Sequence, residues 1–235
     1  PSTWTNGNVN VGISTNVTGF TLRYSTDGSN WNNYTSAITM TTNGTIYARL
    51  TDGINIGSVA TGEVTLIDKI APTITTPTAS NVTTKSFTMN VTVSDSSSEI
   101  YNASGLAKID FMYKKSGDTN YTTHTEVYST NPTNPGETAS TTKTYSLANL
   151  TSGTYNIKAV VYDLAGNSKE SGVTNVTTGT VTGLTSGNVT FTYTPSTWTN
   201  GNVNVGISTS VTGYKLQYNT DGSSNWNNYT SAITM

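Results

Sequence analysis

The sequence predicts an all-β protein made of tandem antiparallel β-sandwich modules, with essentially no helix. Apolar and polar residues alternate along short segments rich in Thr, Val, Ile and Tyr, and turn signals recur roughly every ten residues. The first forty residues also return at the end of the chain, where residues 195–235 repeat residues 1–40 with five substitutions and one extra serine. Repetition at a fixed offset indicates a modular array.

The composition indicates a folded chain and excludes several classes of function. The net charge is −2 and the chain holds 14 Tyr, 4 Phe and 4 Trp, whereas disordered chains combine high net charge with few aromatic residues. There is no cysteine, which excludes disulfides and thiolate metal sites. No apolar run approaches the roughly 20 residues of a membrane span. Arginine occurs only at Arg23 and Arg49, so a nucleic-acid surface is not expected.

Residues 1–68 are predicted to form a short module. Val9, Val11 and Ile13 share one face of an alternating strand, and a second alternating strand follows around residues 20–24. Asp27-Gly28 supplies the positive φ that a tight hairpin turn needs. Further strands are expected near residues 45–50 and 62–67, which completes about seven short strands, as in an antiparallel sandwich.

Residues 69–194 are predicted to form a longer module. Alternating strands are expected over residues 87–93, 109–113 and 155–161, and residues 188–194 are expected to close the module. Residues 195–235 then repeat only the first half of the short module, so the array is expected to continue beyond this stretch.

Several motifs resemble known modules. The segment 153–167, GTYNIKAVVYDLAGN, resembles the penultimate strand of bacterial Ig-like and fibronectin-III-like modules. Residues 68–73, DKIAPT, resemble the junctions between such modules, and residues 1–67 resemble a short bacterial Ig-like repeat of the TWTNG type. The resemblance implies tandem Ig-like modules of a long secreted or cell-surface protein, and it places Tyr155 in a tyrosine corner.

Four residues are expected to be structural. Trp4 belongs to the repeated opening motif and Tyr155 to the tyrosine corner. Asp27 is expected to cap its own turn, and Trp31 to fill the small core. The same hairpin resembles an Asp box, which is a folding device. His124 is the only histidine and has no triad or metal-site spacing around it, so we expect no enzyme.

Calcium is the only cofactor that the sequence suggests, through Asp163 with Asn167, through Asp52, or through Asp68 at the junction. Calcium takes six to eight oxygen ligands, and no D-x-D-x-D run is present. Backbone carbonyls at a module junction would have to complete the site. Simple capping of turns by these side chains is the alternative interpretation.

The expected function is structural: a segment of an extracellular or cell-surface stalk, fibre or filament, with neighbouring modules or identical chains as partners. The alternative is an adhesin or glycan-binding module whose loops contact a surface glycan or host protein. Tyr101, Tyr121 and the loop 129–138 are the candidate contacts for that alternative. Residues 195–235 are expected to need cover from strands equivalent to residues 41–67.

Overall fold

Burial along the strands follows the alternation of apolar and polar residues in the sequence. The computed structural model describes residues 1–98, 100–131, 135–179, 186–211 and 215–235. Phe87, Met89, Val91 and Val93 are buried, whereas the residues between them are half-buried. The predicted all-β class is confirmed, since the described residues hold a single three-residue 3-10 helix, Ser186–Asn188. Within these ranges no helix has the length and apolar character needed to span a membrane.

The short module is a small sandwich of two antiparallel sheets. Its strands are β1 (Val9–Val11), β2 (Thr21–Ser25), β3 (Asn32–Asn33), β4 (Ile38–Met40), β5 (Gly44–Thr51) and β6 (Ala60–Val64). One sheet pairs β1 with β4, and the other has the order β3-β2-β5-β6. The sheets enclose a core made of Ile38, Met40, Ile46, Val64 and Ile67.

The two ends of the short module are hydrogen-bonded to each other. Thr5 and Ile67 form a parallel bridge. The Thr5 amide donates to the Leu66 carbonyl at 3.0 Å, and the Asp68 amide donates to the Thr5 carbonyl at 2.9 Å. Trp4 is only 8% exposed beside this pair.

The long module is a larger sandwich. Its described strands are β7 (Thr73–Ile74), β8 (Thr78–Ser80), β9 (Phe87–Ser94), β10 (Leu106–Lys115), β11 (Thr122–Val127), β12 (Thr141–Leu147), β13 (Gly153–Asp163), β14 (Ser168–Glu170) and β15 (Thr174–Thr178). One sheet has the order β12-β9-β7 with β8 also on β9, and the other has the order β11-β10-β13-β14 with β15 also on β13. Their facing sides bury one continuous core that includes Phe87, Phe111 and Ile157.

Tyr155 lies at the start of β13 and is buried. Its hydroxyl donates to the backbone carbonyl of Thr151 at 2.8 Å. This hydrogen bond to a carbonyl a few residues upstream is the geometry of a tyrosine corner in Ig-like sandwiches.

The two modules belong to one compact unit and are held together by residues 100–104, here named the junction loop. Tyr101 packs against the core of the short module. The Asn102 side-chain amide donates to the Thr65 carbonyl at 2.9 Å, and the Asn43 backbone amide donates to the Ile100 carbonyl at 3.3 Å. The long module thus supplies part of the packing of the short one.

Residues 186–235 form a second compact unit. Its described strands are β16 (Val189–Thr194), β17 (Asn204–Thr209), β18 (Gln217–Tyr218), β19 (Asn227–Asn228) and β20 (Ile233–Thr234). β17, β18, β19 and β20 lie at the sequence positions of β1, β2, β3 and β4. We expected residues 188–194 to close the long module; instead, β16 pairs with β17. An unpaired strand edge is a template for pairing with another strand, and β16 pairs with one edge of β17.

Two tryptophans differ in exposure from their counterparts in the first copy. Trp4 is buried, whereas Trp198 is 104% exposed. Trp226 is 61% exposed and lines the same cleft as the exposed Phe191, whereas its counterpart Trp31 is half-buried. β18 pairs only with β19 among the described residues of this unit, whereas β2 also pairs with β5.

Candidate metal centre

Three aspartates meet where the short module joins the long one. Asp68 lies at the end of the short module, Asp95 directly follows β9, and Asp163 is the last residue of β13. β9 and β13 belong to opposite sheets, and both strands end at the same end of the sandwich. The topology therefore brings residues that are far apart in sequence into one group, here named the acidic cluster.

The acidic cluster is buried and compact. Asp68 is 0% exposed, and Asp95 and Asp163 are each 3% exposed. One carboxylate oxygen from each residue lies within 4.8 Å of the other two. Two oxygens bound to the same Ca²⁺ at about 2.4 Å can be at most about 4.8 Å apart, so the spacing fits a shared cation.

One carboxylate oxygen of the cluster has no protein partner. The Asp95 Oδ2 atom accepts a hydrogen bond from the Gly105 amide at 2.6 Å, while Asp95 Oδ1 is buried without a hydrogen bond. Both Asp68 oxygens are used, because Oδ1 accepts from the Ile70 amide at 3.0 Å and Oδ2 from the Ser104 amide at 2.8 Å. A buried, unpartnered carboxylate oxygen is costly unless a cation or proton satisfies it.

Asn167 positions the third carboxylate. Its backbone amide donates to Asp163 Oδ1 at 2.7 Å, and its side-chain amide donates to Asp163 Oδ2 at 2.7 Å. The same side-chain amide donates to the Asp68 carbonyl at 3.0 Å. Asn167 thus acts as a hydrogen-bond donor that links two members of the cluster.

Gly105 is required for this geometry. Its φ of +83° lies in the left-handed region, and an added Cβ would overlap the backbone of Gly136. Only glycine can therefore present the amide that Asp95 accepts without displacing the neighbouring chain.

Burial and mutual repulsion raise the pKa of two of these carboxyls. Burial, followed by the charges of Asp68 and Asp163, raises the pKa of Asp95 to about 7. Burial, followed by the charge of Asp68, raises the pKa of Asp163 to about 6, although hydrogen bonds from Asn167 oppose the shift. None of the ion pairs among the described residues involves the cluster.

The donor set indicates which cation would fit. Carboxylate and carbonyl oxygens suit hard cations, and the chain offers neither cysteine nor a second histidine for softer metals. Calcium accepts irregular oxygen cages, whereas Mg²⁺ demands near-ideal octahedral geometry and retains its waters. The acidic cluster is therefore a candidate calcium site.

The sequence predicted Asp68, Asp163 and Asn167 as candidate calcium residues, but it did not indicate Asp95. The structure brings all four residues together, and Asp95 carries the carboxylate oxygen that has no hydrogen-bond partner. The signal for Asp95 was its position immediately after the alternating strand 87–94, which matches the position of Asp163 at the end of its own strand.

The other candidate residues lie elsewhere. Tyr101, in the junction loop, is half-buried against the core of the short module. The Tyr121 ring lies 5.1 Å from Lys114 Nζ and 4.8 Å from Lys158 Nζ. Asp52, the remaining calcium candidate, caps its own turn, because its Oδ1 atom accepts hydrogen bonds from the Ile54 and Asn55 amides.

Asp27 caps its own turn as predicted, whereas Trp31 lies outside the core in which it was predicted. Asp27 Oδ1 accepts from the Ser29 and Asn30 amides, both at 2.8 Å, as in an Asx turn. Trp31 was expected in the small core but is not part of it; its ring lies 3.7 Å from the Arg49 guanidinium. Trp31 packs against Arg49, which is charged and lies on the outer face of the sheet, so the Trp31 ring lies on that face as well.

The sequence matches no family model and no curated protein. Solved structures with a similar fold include the sensor domain of the anti-sigma factor RsgI4 in Pseudobacteroides cellulosolvens, with 16% identity, a TM-score of 0.33, and coverage of 47% of this chain and 97% of that one. Domains from titin match at 13% identity and a TM-score of 0.46, covering 75% of this chain and 60% of theirs. The FN1–FN3 domains of chicken CNTN1 match at 13% identity and a TM-score of 0.34, covering 68% and 56%. The sheet order and tyrosine corner of residues 69–179 make the long module an Ig-like or fibronectin-III-like β-sandwich.

Proposed function

We propose that this chain is a non-enzymatic structural segment of an extracellular or cell-surface stalk, fibre or filament, whose modules are fixed to each other by a calcium ion. The observation that carries the proposal is the buried acidic cluster between two modules, with one carboxylate oxygen that has no protein partner. A stalk needs modules that do not bend freely, and a cation at the junction limits bending.

The cluster draws its ligands from both sides of the junction. Asp68 is hydrogen-bonded to the short module through the contact of its amide with Thr5. Asp95 and Asp163 belong to the long module. A cation bound to all three would tie the end of one module to the next, and repetition of such modules supplies length. Calcium sites of extracellular modules commonly work at about 10⁻⁴–10⁻³ M.

The surroundings of the single histidine favour a non-enzymatic role. His124 is stacked on Tyr145, with ring centroids 4.0 Å apart, and its Nε2 lies 3.6 Å from Glu126. These two contacts are with a packed tyrosine ring and a strand carboxylate, rather than with a serine or cysteine that the imidazole could activate.

The proposal is tested by thermal unfolding of the full chain at pH 8 in chelator, in calcium and in magnesium. We expect calcium to raise the unfolding temperature of the unit that contains the junction, and magnesium to have a much smaller effect. Asp95→Asn should remove the response to calcium, because it replaces the bare carboxylate oxygen. Asp118→Asn, a change at an exposed turn, is the matched control and should keep the response.

An unfolding temperature that does not move with calcium up to about 10 mM would contradict the calcium junction. Loss of the response in the Asp118→Asn control would also contradict it, because the effect would then come from general charge. The stalk role has a separate test, in which antibodies against residues 1–235 are imaged on producing cells. Label held away from the cell surface supports a stalk, and label confined to the membrane contradicts it.

A further inference from the structure

We propose that a cleft beside Arg23 and Arg49, on the outer face of the short module, binds the carboxylate of an acidic saccharide such as a uronic-acid unit. The cleft is separate from the junction and goes beyond the structural function proposed above. The two side chains are the only arginines of the chain.

The register of two strands brings the arginines together. Arg23 on β2 is directly opposite Arg49 on β5. Tyr24, the neighbour of Arg23, packs against the core, so Arg23 lies on the outer face of the sheet. Residues directly opposite each other in an antiparallel pair have Cβ atoms about 5 Å apart.

Trp31 holds both guanidinium groups in place. The Arg49 guanidinium carbon lies 3.7 Å from the centre of the Trp31 ring, and Arg23 Nη2 donates to the Trp31 backbone carbonyl. The Nε atoms of both arginines are buried without a hydrogen bond. Two guanidinium groups that are already fixed lose little conformational freedom when they bind an anion.

The pair places two positive charges side by side on the sheet. Like charges directly opposite on a sheet are destabilising, and a guanidinium group keeps its charge at all relevant pH values. No ion pair among the described residues includes Arg23 or Arg49. Asp52 lines the cleft, but its carboxylate already accepts hydrogen bonds from the Ile54 and Asn55 amides and from the Asn55 side chain.

The arginine pair is not a requirement of the repeat. The second copy carries Gln217 at the position of Arg23, within a stretch that differs at only four other positions. One of those is Lys215 at the position of Thr21, so the two copies place their positive charge differently along the strand. The repeated scaffold therefore accommodates either arrangement, and the guanidinium pair belongs to the first copy.

The shape and lining of the cleft favour a saccharide over a peptide. Its volume is about 350 Å³, at the lower end of the range of about 300–1,000 Å³ for small-ligand pockets. The Thr21 and Thr51 hydroxyls and the Asn33 amide line it and can pair with sugar hydroxyls. Ile54 at the rim is 90% exposed and offers an apolar surface to the C–H face of a sugar ring.

The test uses nuclear magnetic resonance of the ¹⁵N-labelled full chain titrated with trigalacturonate. Two arginines give two Nε–Hε signals, which report on this cleft alone. We expect both signals to shift in a saturable way, and Arg23→Gln to weaken binding at least about tenfold, because a charge-assisted hydrogen bond is lost. Gln is the residue of the second copy, so the variant should fold. Lys85→Gln, an exposed change elsewhere, is the matched control and should bind normally.

Further ligands make the outcome decisive. The methyl ester of trigalacturonate has the same sugars without the charge, and equal binding of the ester would overturn the role of the arginines. Tight binding of triglutamate with no binding of trigalacturonate would overturn the saccharide assignment in favour of an acidic peptide. Binding of sulfate alone, or no shift of either signal up to about 10 mM trigalacturonate, would also overturn the proposal.

Discussion

Asp95 is a carboxyl whose position favours the protonated form. It is buried, one of its oxygens has no hydrogen bond, and two other carboxylates lie beside it. The same three facts make it a candidate ligand for a cation, because a divalent charge reverses the electrostatic penalty of the ionised form. Protons and the proposed calcium ion would therefore compete for one oxygen, and the junction should respond to both.

The first prediction concerns pH in the presence of chelator. The pKa of Asp95 is raised to about 7 and that of Asp163 to about 6, from 3.8, so the folded chain holds more protons than the unfolded chain between about pH 4 and pH 7. This contribution to stability is fully present below pH 4 and is lost as the pH rises through 7. We expect the free energy of unfolding of the junction unit to fall by on the order of 1–2 kcal/mol between pH 5 and pH 8, after allowance for solvent screening.

Chemical denaturation at the two pH values measures this change. Asp95→Asn should flatten most of the pH dependence and should stabilise the chain at pH 8 in chelator, whereas Asp118→Asn should do neither. Saturating calcium should restore the stability of the unmodified chain at pH 8. A stability that increases from pH 5 to pH 8 in chelator would show that the cluster does not carry the raised pKa values.

At the scale of elements, the junction loop is the link between the modules. Tyr101 packs on the short module, and Asn102 donates to the Thr65 carbonyl. Tyr121 lies on the long module, where Lys114 and Lys158 lie near its ring. The two tyrosines, both candidate ligand contacts from the sequence, thus have different surroundings.

The second prediction compares how much each of these two tyrosines contributes to stability. Tyr101→Ala removes an aromatic ring from the edge of a core and should destabilise the short module by about 1–3 kcal/mol. Tyr121→Ala is the matched comparison and should cost less than about 1 kcal/mol, because its contacts are with lysines at the surface. Hydrogen exchange of β5 and β6 amides measures the local effect. Equal protection in the two variants would contradict the packing role of Tyr101.

The strands were predictable because each needs only local information. Phe87, Met89, Val91 and Val93 alternate in the sequence and are buried in the structure. The pairing of Arg23 with Arg49 was not predictable, because it depends on the register between β2 and β5, and a shift of one residue moves every side chain to the other face. Asp95 was missed for a related reason, since its partners come from the far ends of other elements.

At the scale of the whole molecule, two nearly identical sequences have different environments. Tyr24 and Tyr34 form an edge-to-face pair at 6.3 Å, and Tyr218 and Tyr229 form the same pair at 6.4 Å. Local geometry therefore follows the shared sequence. The burial of Trp4 and the full exposure of Trp198 instead follow from the segments that each copy has around it.

The third prediction concerns a chain in which the second copy is given the segment that completes the first. A chain in which the sequence of residues 41–67 is appended after Met235 should form the sheet that β5 and β6 make in the first copy. Trp198 should then become buried, as Trp4 is, and Trp226 should become half-buried, as Trp31 is. Tryptophan emission should move to shorter wavelengths, because the rings leave water. The free energy of unfolding of the second unit should rise as its apolar face is covered.

An appended segment with Asp at the positions of Ile46 and Val64 is the control for this experiment, because both of those residues are buried in the first copy. It should leave the emission of the original chain unchanged. A shift of equal size in the control would show that the extra length, and not the core, changes the environment of the tryptophans.

The paired ends of the short module have a mechanical consequence. The Thr5 amide bonds to Leu66 and the Asp68 amide bonds to Thr5, across two segments that run in parallel. When the two ends are pulled in opposite directions, the force acts along these segments, so the two hydrogen bonds are sheared together rather than opened one after the other. The force then passes through Asp68 into the acidic cluster, which places the candidate cation directly in the path of the tension.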